Sequence, residues 1–247
     1  MGETTTTRTD AGGRTETEYA VRISGIGKRY GSRLALDDVS LNVEKGTVYC
    51  IAGPNGSGKT TLLSIIAGAL RPSKGSVKVS GSVGYAFQVP RLFGDLTVRE
   101  NMEFFRKLTR DGKRDGEGWM EKSMKILELD EWLNVPCERL SSGAKKRVEL
   151  GIALLQDPEI LLLDEPTAGL DVDSLDEVVS LVQKLKQVKT VIITTHQIRD
   201  FERACDTLCI ILAGRKVYER KINEIGKGQL EQTYKDFIGK SRGNGKQ

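Results

Sequence analysis

Apolar and polar positions change period several times along this chain, and each change marks a new element. Residues 19–43 alternate in the manner of half-buried strands, with Lys28, Tyr30 and Gly31 breaking the pattern midway, which predicts an antiparallel flap. Residues 47–52 (TVYCIA) form a short unbroken apolar run, the mark of a strand covered on both faces. Residues 60–70 then carry apolar side chains at helical spacing. Two further strands are expected at 75–80 and 83–87, around Gly81. The texture turns helical over 97–108, where Val98, Met102, Phe104, Phe105 and Leu108 recur at helical spacing behind the capping pair Thr97 and Glu100. A charged, glycine-containing loop over 110–118 and a helix over 119–129 follow, so about 90–150 reads as a helical insert.

Beyond the insert, strand and helix alternate: strands at 160–163, 190–194 and 208–212, helices at 174–186 and 197–204. Such alternation implies a parallel sheet with helices on both faces. A last helix is expected over 230–238, then a frayed basic tail at 240–247. Residues 1–18 are rich in threonine, glycine and charge and lack an apolar h-region, so they read as a disordered leader and not a signal peptide. The body of the fold is expected over 19–239, with no internal repeat.

Composition narrows the function. A chain of 247 residues, 38% hydrophobic, can bury one sizeable core with an inserted subdomain. A net charge of +4 without a dominant basic run gives no argument for nucleic acid, and none is expected as a partner. No apolar run approaches the roughly 18 residues that span a bilayer, so any membrane span must come from another chain. Cys50, Cys137, Cys205 and Cys209 are scattered and read as reduced core residues. Cys205 and Cys209 stand four apart, but without a second pair or a histidine they are not expected to hold a metal.

The chemistry begins at residues 53–61 (GPNGSGKTT), placed between a strand and a helix. Gly53, Gly56 and Gly58 let the backbone curl around Pro54, Asn55 and Ser57 so that successive N–H groups point inward. The helix N-terminus adds about half a positive charge, and the resulting cup wants an anion. Lys59 can reach β and γ phosphates, Thr60 offers magnesium a hydroxyl, and Thr61 completes the loop. The loop alone fits kinases, GTPases and many ATPases equally well.

A second constellation is residues 160–167 (ILLLDEPT), four apolar residues followed by two carboxylates. Ligands of a parallel sheet gather at the carboxyl ends of its strands, which sets Asp164 and Glu165 beside the phosphate loop. Neighbours on an extended chain point opposite ways, so Asp164 is assigned to the metal and Glu165 to the general base, a role worth about 10²- to 10⁴-fold in rate. The single histidine, His196, also follows a strand, where an imidazole can hydrogen-bond a γ-phosphate. Residues 140–147 (LSSGAKKR) open another helix, capped by Ser141, with Gly143 allowing close backbone approach. Alone, that stretch is an ordinary capped helix.

Taken together and in order, these motifs resemble the nucleotide-binding subunit of the ATP-binding cassette (ABC) family, over about 19–225. The resemblance implies an α/β phosphate-loop NTPase core, a parallel sheet with an antiparallel β flap and the inserted helical subdomain. It implies ATP and Mg2+ as cofactors, Tyr30 stacking on adenine, and Gln88 sensing magnesium and the attacking water. It likewise implies 140–144 as the signature, 168–171 as the D-loop with Asp171 at the nucleotide, and His196 as the switch histidine. Catalysis is then shared by Lys59, Gln88, Glu165 and His196, and magnesium by Thr60, Gln88 and Asp164.

In that family two cassettes pair head to tail, each signature covering the other's ATP, so Ser141 and Gly143 are expected to serve a partner, whether a second copy or a sister subunit. The usual LSGGQ is LSSGA here, with Ser142 and Ala144 departing; loss of the glutamine amide is expected to remove a contact worth about 1 kcal/mol and slow the ATPase. Residues 92–105 (LFGDLTVRENMEFF) resemble the docking region for a membrane partner in exporter cassettes, and the chain looks most like the drug- and sodium-export branch. The expectation is a cytoplasmic subunit held at the inner face of the cell membrane by separate transmembrane permease subunits. The alternative is a soluble ABC ATPase in an assembly complex, of the iron-sulfur scaffold type.

Overall fold

The computed structural model describes residues 17–108, 119–226 and 228–243. The expected leader, except residues 17 and 18, lies outside the described residues, as does the loop at 110–118. A hairpin comes first: β1 (Tyr19–Tyr30) and β2 (Arg33–Glu44) pair antiparallel and close where Tyr30 faces Arg33. Gly31 makes the turn at φ +57°, a region open to glycine without a Cβ penalty. β3 (Val48–Ala52) leads into α1 (Lys59–Ile66), and β4 (Lys74–Val79) returns to pair with β1, giving a three-stranded sheet in the order β2-β1-β4.

β5 (Val83–Ala86), α2 (Val98–Leu108), α3 (Trp119–Ile126) and α4 (Ser142–Leu154) follow, then β6 (Ile160–Asp164), α5 (Val172–Lys186) and β7 (Thr190–Thr195). β8 (Thr207–Leu212), β9 (Arg215–Lys221) and α6 (Leu230–Gly243) complete the chain. The second sheet runs β5-β6-β7-β3-β8-β9, parallel except for β9.

Every residue of β3, β6 and β7 is buried, as the unbroken apolar runs require of strands covered on both faces. Their period of two divides the core. Val48, Cys50, Leu161, Leu163, Val191 and Ile193 pack with α2, α4 and α5, whereas Tyr49, Ile51, Ile160, Leu162 and Ile192 pack with α1 and the antiparallel sheet. All four cysteines are buried and unpaired by disulfides.

Several elements depart from the sequence-based expectation. α1 stops at Ile66, short of residue 70, because Gly68 takes φ +72° and its N–H turns back to Ile65 O. α3 stops at Ile126, and Glu128 turns left-handed at φ +54°. The helix expected at 197–204 is only a 3-10 turn, Ile198–Phe201, whose apolar ends lie three apart and are both buried. β9 was not expected at all. Where a frayed tail was expected from residue 240, the α6 backbone stays helical through Gly243.

Candidate nucleotide site

β3 delivers Gly53 to the carboxyl edge of the sheet, where its N–H bonds Thr195 O at 3.1 Å. A Cβ on Gly53 would fall 2.3 Å from Ile211 O, so only glycine lets the loop leave the strand here. Gly58 precedes α1 at φ +107° and provides no side-chain cap, so the first N–H groups of the helix stay open to an anion. The loop borders a cavity of about 350 Å³ lined by Tyr30, Arg33, Asn55, Gly56, Gly58, Lys59, Thr60, Thr61, Gln88 and Glu165, with Ala35 behind. Tyr30 is 49% exposed at one end, its ring 5.4 Å from the Lys28 ammonium.

Lys59 is buried at the other end. Its Nζ donates to Gly53 O at 2.7 Å and Pro54 O at 3.2 Å, and lies 3.0 Å from Glu165 Oε1. The other Glu165 oxygen meets His196 Nδ1. Glu165 reaches both because its backbone turns left-handed at φ +49°, held by its N–H on Thr194 O and Thr194 Oγ1, both at 3.1 Å. A non-glycine residue kept in that region is the kind of strain that collects at functional sites. Thr167, two residues on, donates to Asp200 at 2.9 Å and so ties this turn to the segment after His196. Burial pushes the Asp200 carboxyl up.

Asp164 ends β6 beneath the loop. It accepts from Thr194 Oγ1 at 2.5 Å and from the Tyr85 hydroxyl at 3.3 Å. Burial, with Asp164 beside it, pushes the Tyr85 phenol up and keeps it a donor. Among the described residues no group of three or more His, Cys, Asp or Glu side chains is placed to hold a metal ion. Thr60, Gln88 and Asp164 instead offer hydroxyl, amide and carboxylate oxygen, a donor set that fits Mg2+ completing its shell with phosphate and water.

The structure gathers Tyr30, Lys59, Thr60, Gln88, Glu165 and His196 but leaves Ser141, Gly143 and Asp171 off the cavity wall. Gly143 and Asp171 both meet Ser174, and Ser141 stands two residues before Gly143. Ser141 Oγ caps α4 by accepting from Ala144 N at 3.1 Å, and Asp171 caps α5 by accepting from Ser174 N at 2.9 Å. That bond holds the Asp171 carboxyl below its ordinary range. Gly143 presses on Ser174: a Cβ there would lie 2.6 Å from Ser174 Oγ.

Ala144 is 4% exposed and packs in the core with Leu140 and Val148. Three charged residues of α4 were missed as structural parts: Lys146, Arg147 and Glu149 are all buried. Arg147 meets Glu177 at 2.7 Å and Glu128 at 3.3 Å. Burial lowers the Lys146 ammonium and raises the Glu149 carboxyl. Arg33 was also missed; only its placement in the cavity wall reveals it.

A glycine loop between a buried parallel strand and an uncapped helix, with a lysine and a strand-end glutamate meeting across it, defines a phosphate-loop nucleotide hydrolase. Residues 36–168 match the ABC transporter family. The chain is 32% identical over 224 residues to the Nod factor export ATP-binding protein I of Rhizobium johnstonii, an alignment covering 85% of this chain and 72% of that protein. It is 33% identical over 221 residues to the daunorubicin resistance ATP-binding protein DrrA3 of Streptomyces coeruleorubidus, covering 84% and 70%.

Among solved structures, CbiO1 of Clostridium perfringens, part of the CbiONQ transporter complex, superposes with a TM-score of 0.77 at 27% identity, covering 90% of this chain and 96% of that one. A dimeric post-hydrolysis cassette bound to ADP and Pi superposes with a TM-score of 0.72 at 29% identity, covering 82% and 98%. The chain belongs to the ABC transporter family. It is the ATP-binding, ATP-hydrolysing subunit that powers movement through a separate membrane protein. Among the described residues no helix is long and apolar enough to cross a membrane.

Proposed function

We propose that ATP binds with its adenine on Tyr30 and its phosphates in the loop 53–61, and that Glu165 is the base for the attacking water. The observation that carries this reading is Glu165 set between Lys59 and His196 at the cavity. Lys59 is satisfied by Glu165 and by the carbonyl oxygens of Gly53 and Pro54. Phosphate oxygens offer the same ammonium a stronger partner, and its transfer to them frees Glu165 Oε1 to accept the water's proton. His196 steadies the other carboxylate oxygen and faces the γ-phosphate. Gln88, on the cavity wall, orients the water.

Thr60, Gln88 and Asp164 would hold Mg2+, which would supply positive charge against the phosphates. Tyr85 and Thr194 keep Asp164 oriented for it. Ser141, Gly143 and Asp171 lie off this cavity because they serve the nucleotide of a second cassette, a copy of this chain or a sister subunit. Residues 90–150 act as the inserted subdomain that carries the signature. Permease subunits hold the pair at the inner face of the membrane, and the name of the Nod factor export relative supports export as the direction. The test is Glu165→Gln with ATP and Mg2+. Loss of hydrolysis with retained ATP and an accumulating dimer supports the reading, and wild-type turnover defeats it.

A further inference from the structure

Lys146 and Glu149 stand three residues apart on one face of α4, and both point at the loop that carries Gln88. Lys146 Nζ donates to Phe87 O at 3.2 Å and also to Gln88 O. Glu149 accepts from Phe87 N at 3.2 Å through one oxygen and from Arg91 N at 3.0 Å through the other. All four loop partners are main-chain groups, so the pair fixes backbone position whatever side chains the loop carries. Lys146 is 6% and Glu149 3% exposed. A buried ammonium and carboxylate are costly unless fully hydrogen-bonded, and apolar residues of similar volume would pack there at no such cost.

The rest of the loop adds to the fixing. The Arg91 guanidinium lies 3.9 Å from the Phe87 ring centre, Phe87 stacks on Tyr85 at 4.5 Å, and the Tyr85 hydroxyl reaches Asp164. At the base of the loop a Cβ on Gly84 would fall 2.1 Å from Ala153 O, so β5 and α4 meet backbone to backbone with no slack. One helix therefore runs from the Ser141 cap to the groups that grip Phe87 and Gln88.

We propose that Lys146 and Glu149 are positioning residues for hydrolysis: they lock the 87–91 backbone to α4, and the placement of α4 thereby sets where Gln88 stands over the chain's own phosphate loop. This rests on the role given to Gln88 above. Movement of the Ser141 end of α4 then shifts Gln88, which links the face offered to a second cassette to the chain's own site.

The experiment compares Lys146→Met, Lys146→Arg, Glu149→Gln and Gln88→Ala by steady-state kinetics and amide hydrogen exchange. Lys146→Met and Glu149→Gln are expected to lower kcat about tenfold with the KM for ATP within about twofold, following Gln88→Ala. Exchange at the Phe87 and Arg91 amides is expected to rise about tenfold in Glu149→Gln. Lys146→Arg, which keeps the cation and donor, should recover part of the lost kcat. Folded Lys146→Met and Glu149→Gln with wild-type kcat, beside an impaired Gln88→Ala, overturn the proposal. Unchanged protection at Phe87 and Arg91 in Glu149→Gln overturns it independently of turnover. Wild-type kcat in Gln88→Ala locates the failure in the role of Gln88 and overturns the proposal with it.

Discussion

Glu165 Oε1 lies 3.0 Å from Lys59 Nζ, so the carboxylate that follows β6 and the lysine that opens α1 share one ion pair across the phosphate loop. Their side chains are 6% and 5% exposed, and neither group has solvent to fall back on. One contact thus joins the group proposed to hold phosphate to the group proposed to activate water.

Replacing Glu165 by glutamine keeps the side-chain volume and an oxygen for Lys59 but removes the base. Turnover is expected to fall by about 10²- to 10⁴-fold, with ATP still bound. Size-exclusion chromatography with saturating ATP and Mg2+ should then show a dimer peak absent without nucleotide. A variant that remains monomeric under those conditions counts against a site closed by two cassettes.

Removing the lysine acts differently. Lys59→Met leaves Glu165 buried without its ammonium, and breaking one side of a buried pair costs about 3 kcal/mol. Lys59→Met with Glu165→Gln removes both charges, so most of that loss should return. Urea denaturation of the four proteins of this cycle measures the coupling, and additive losses would show that the pair contributes nothing. ATP binding should be lost in both lysine variants.

The loop, the strand-end acids and the parallel core were legible because each is a local pattern: glycines at fixed spacing, apolar runs, and carboxylates where a run ends. What escaped depends on distant neighbours. β9 reads RKVYERK, a basic segment that became a strand only because β8 supplied an antiparallel edge for it. Lys146 and Glu149 look like the solvated side of a helix, yet their partners lie 58 or more residues earlier. The apolar spacing of α1 continues to Leu70, and Gly68 overrides it through backbone conformation alone.

The α5 cap gives a pH signature. Hydrogen bonds from Ser174 lower the Asp171 carboxyl below its ordinary 3.8, so its contribution is present above about that pH and is lost as pH falls through the lower folded value. An asparagine in its place would cap as well as the aspartate but does not titrate. The difference in unfolding midpoint between wild type and Asp171→Asn should therefore shift in favour of the variant between about pH 6 and about pH 3. A difference that stays constant over that range would mean the Asp171 carboxyl titrates alike in the folded and unfolded chain, with no lowering by the cap.

Gly143 tests whether the signature is shaped by its own chain. A methyl group there would lie 2.6 Å from Ser174 Oγ and 2.8 Å from its Cβ, distances at which something must move. Ser174 is not free to swing, because its hydroxyl lies 3.2 Å from Asp171 and its N–H is held by the same carboxylate. Gly143→Ala is thus expected to cost about 1–3 kcal/mol by overpacking, despite the better helix propensity of alanine. Ser174→Gly removes both clashing atoms and leaves its Cα 3.8 Å from the new methyl, so the double variant should be more stable than the sum of its parts. Chemical denaturation of the two single variants and the double variant decides it. If Gly143→Ala alone is as stable as wild type, the contact with Ser174 does not restrict this position.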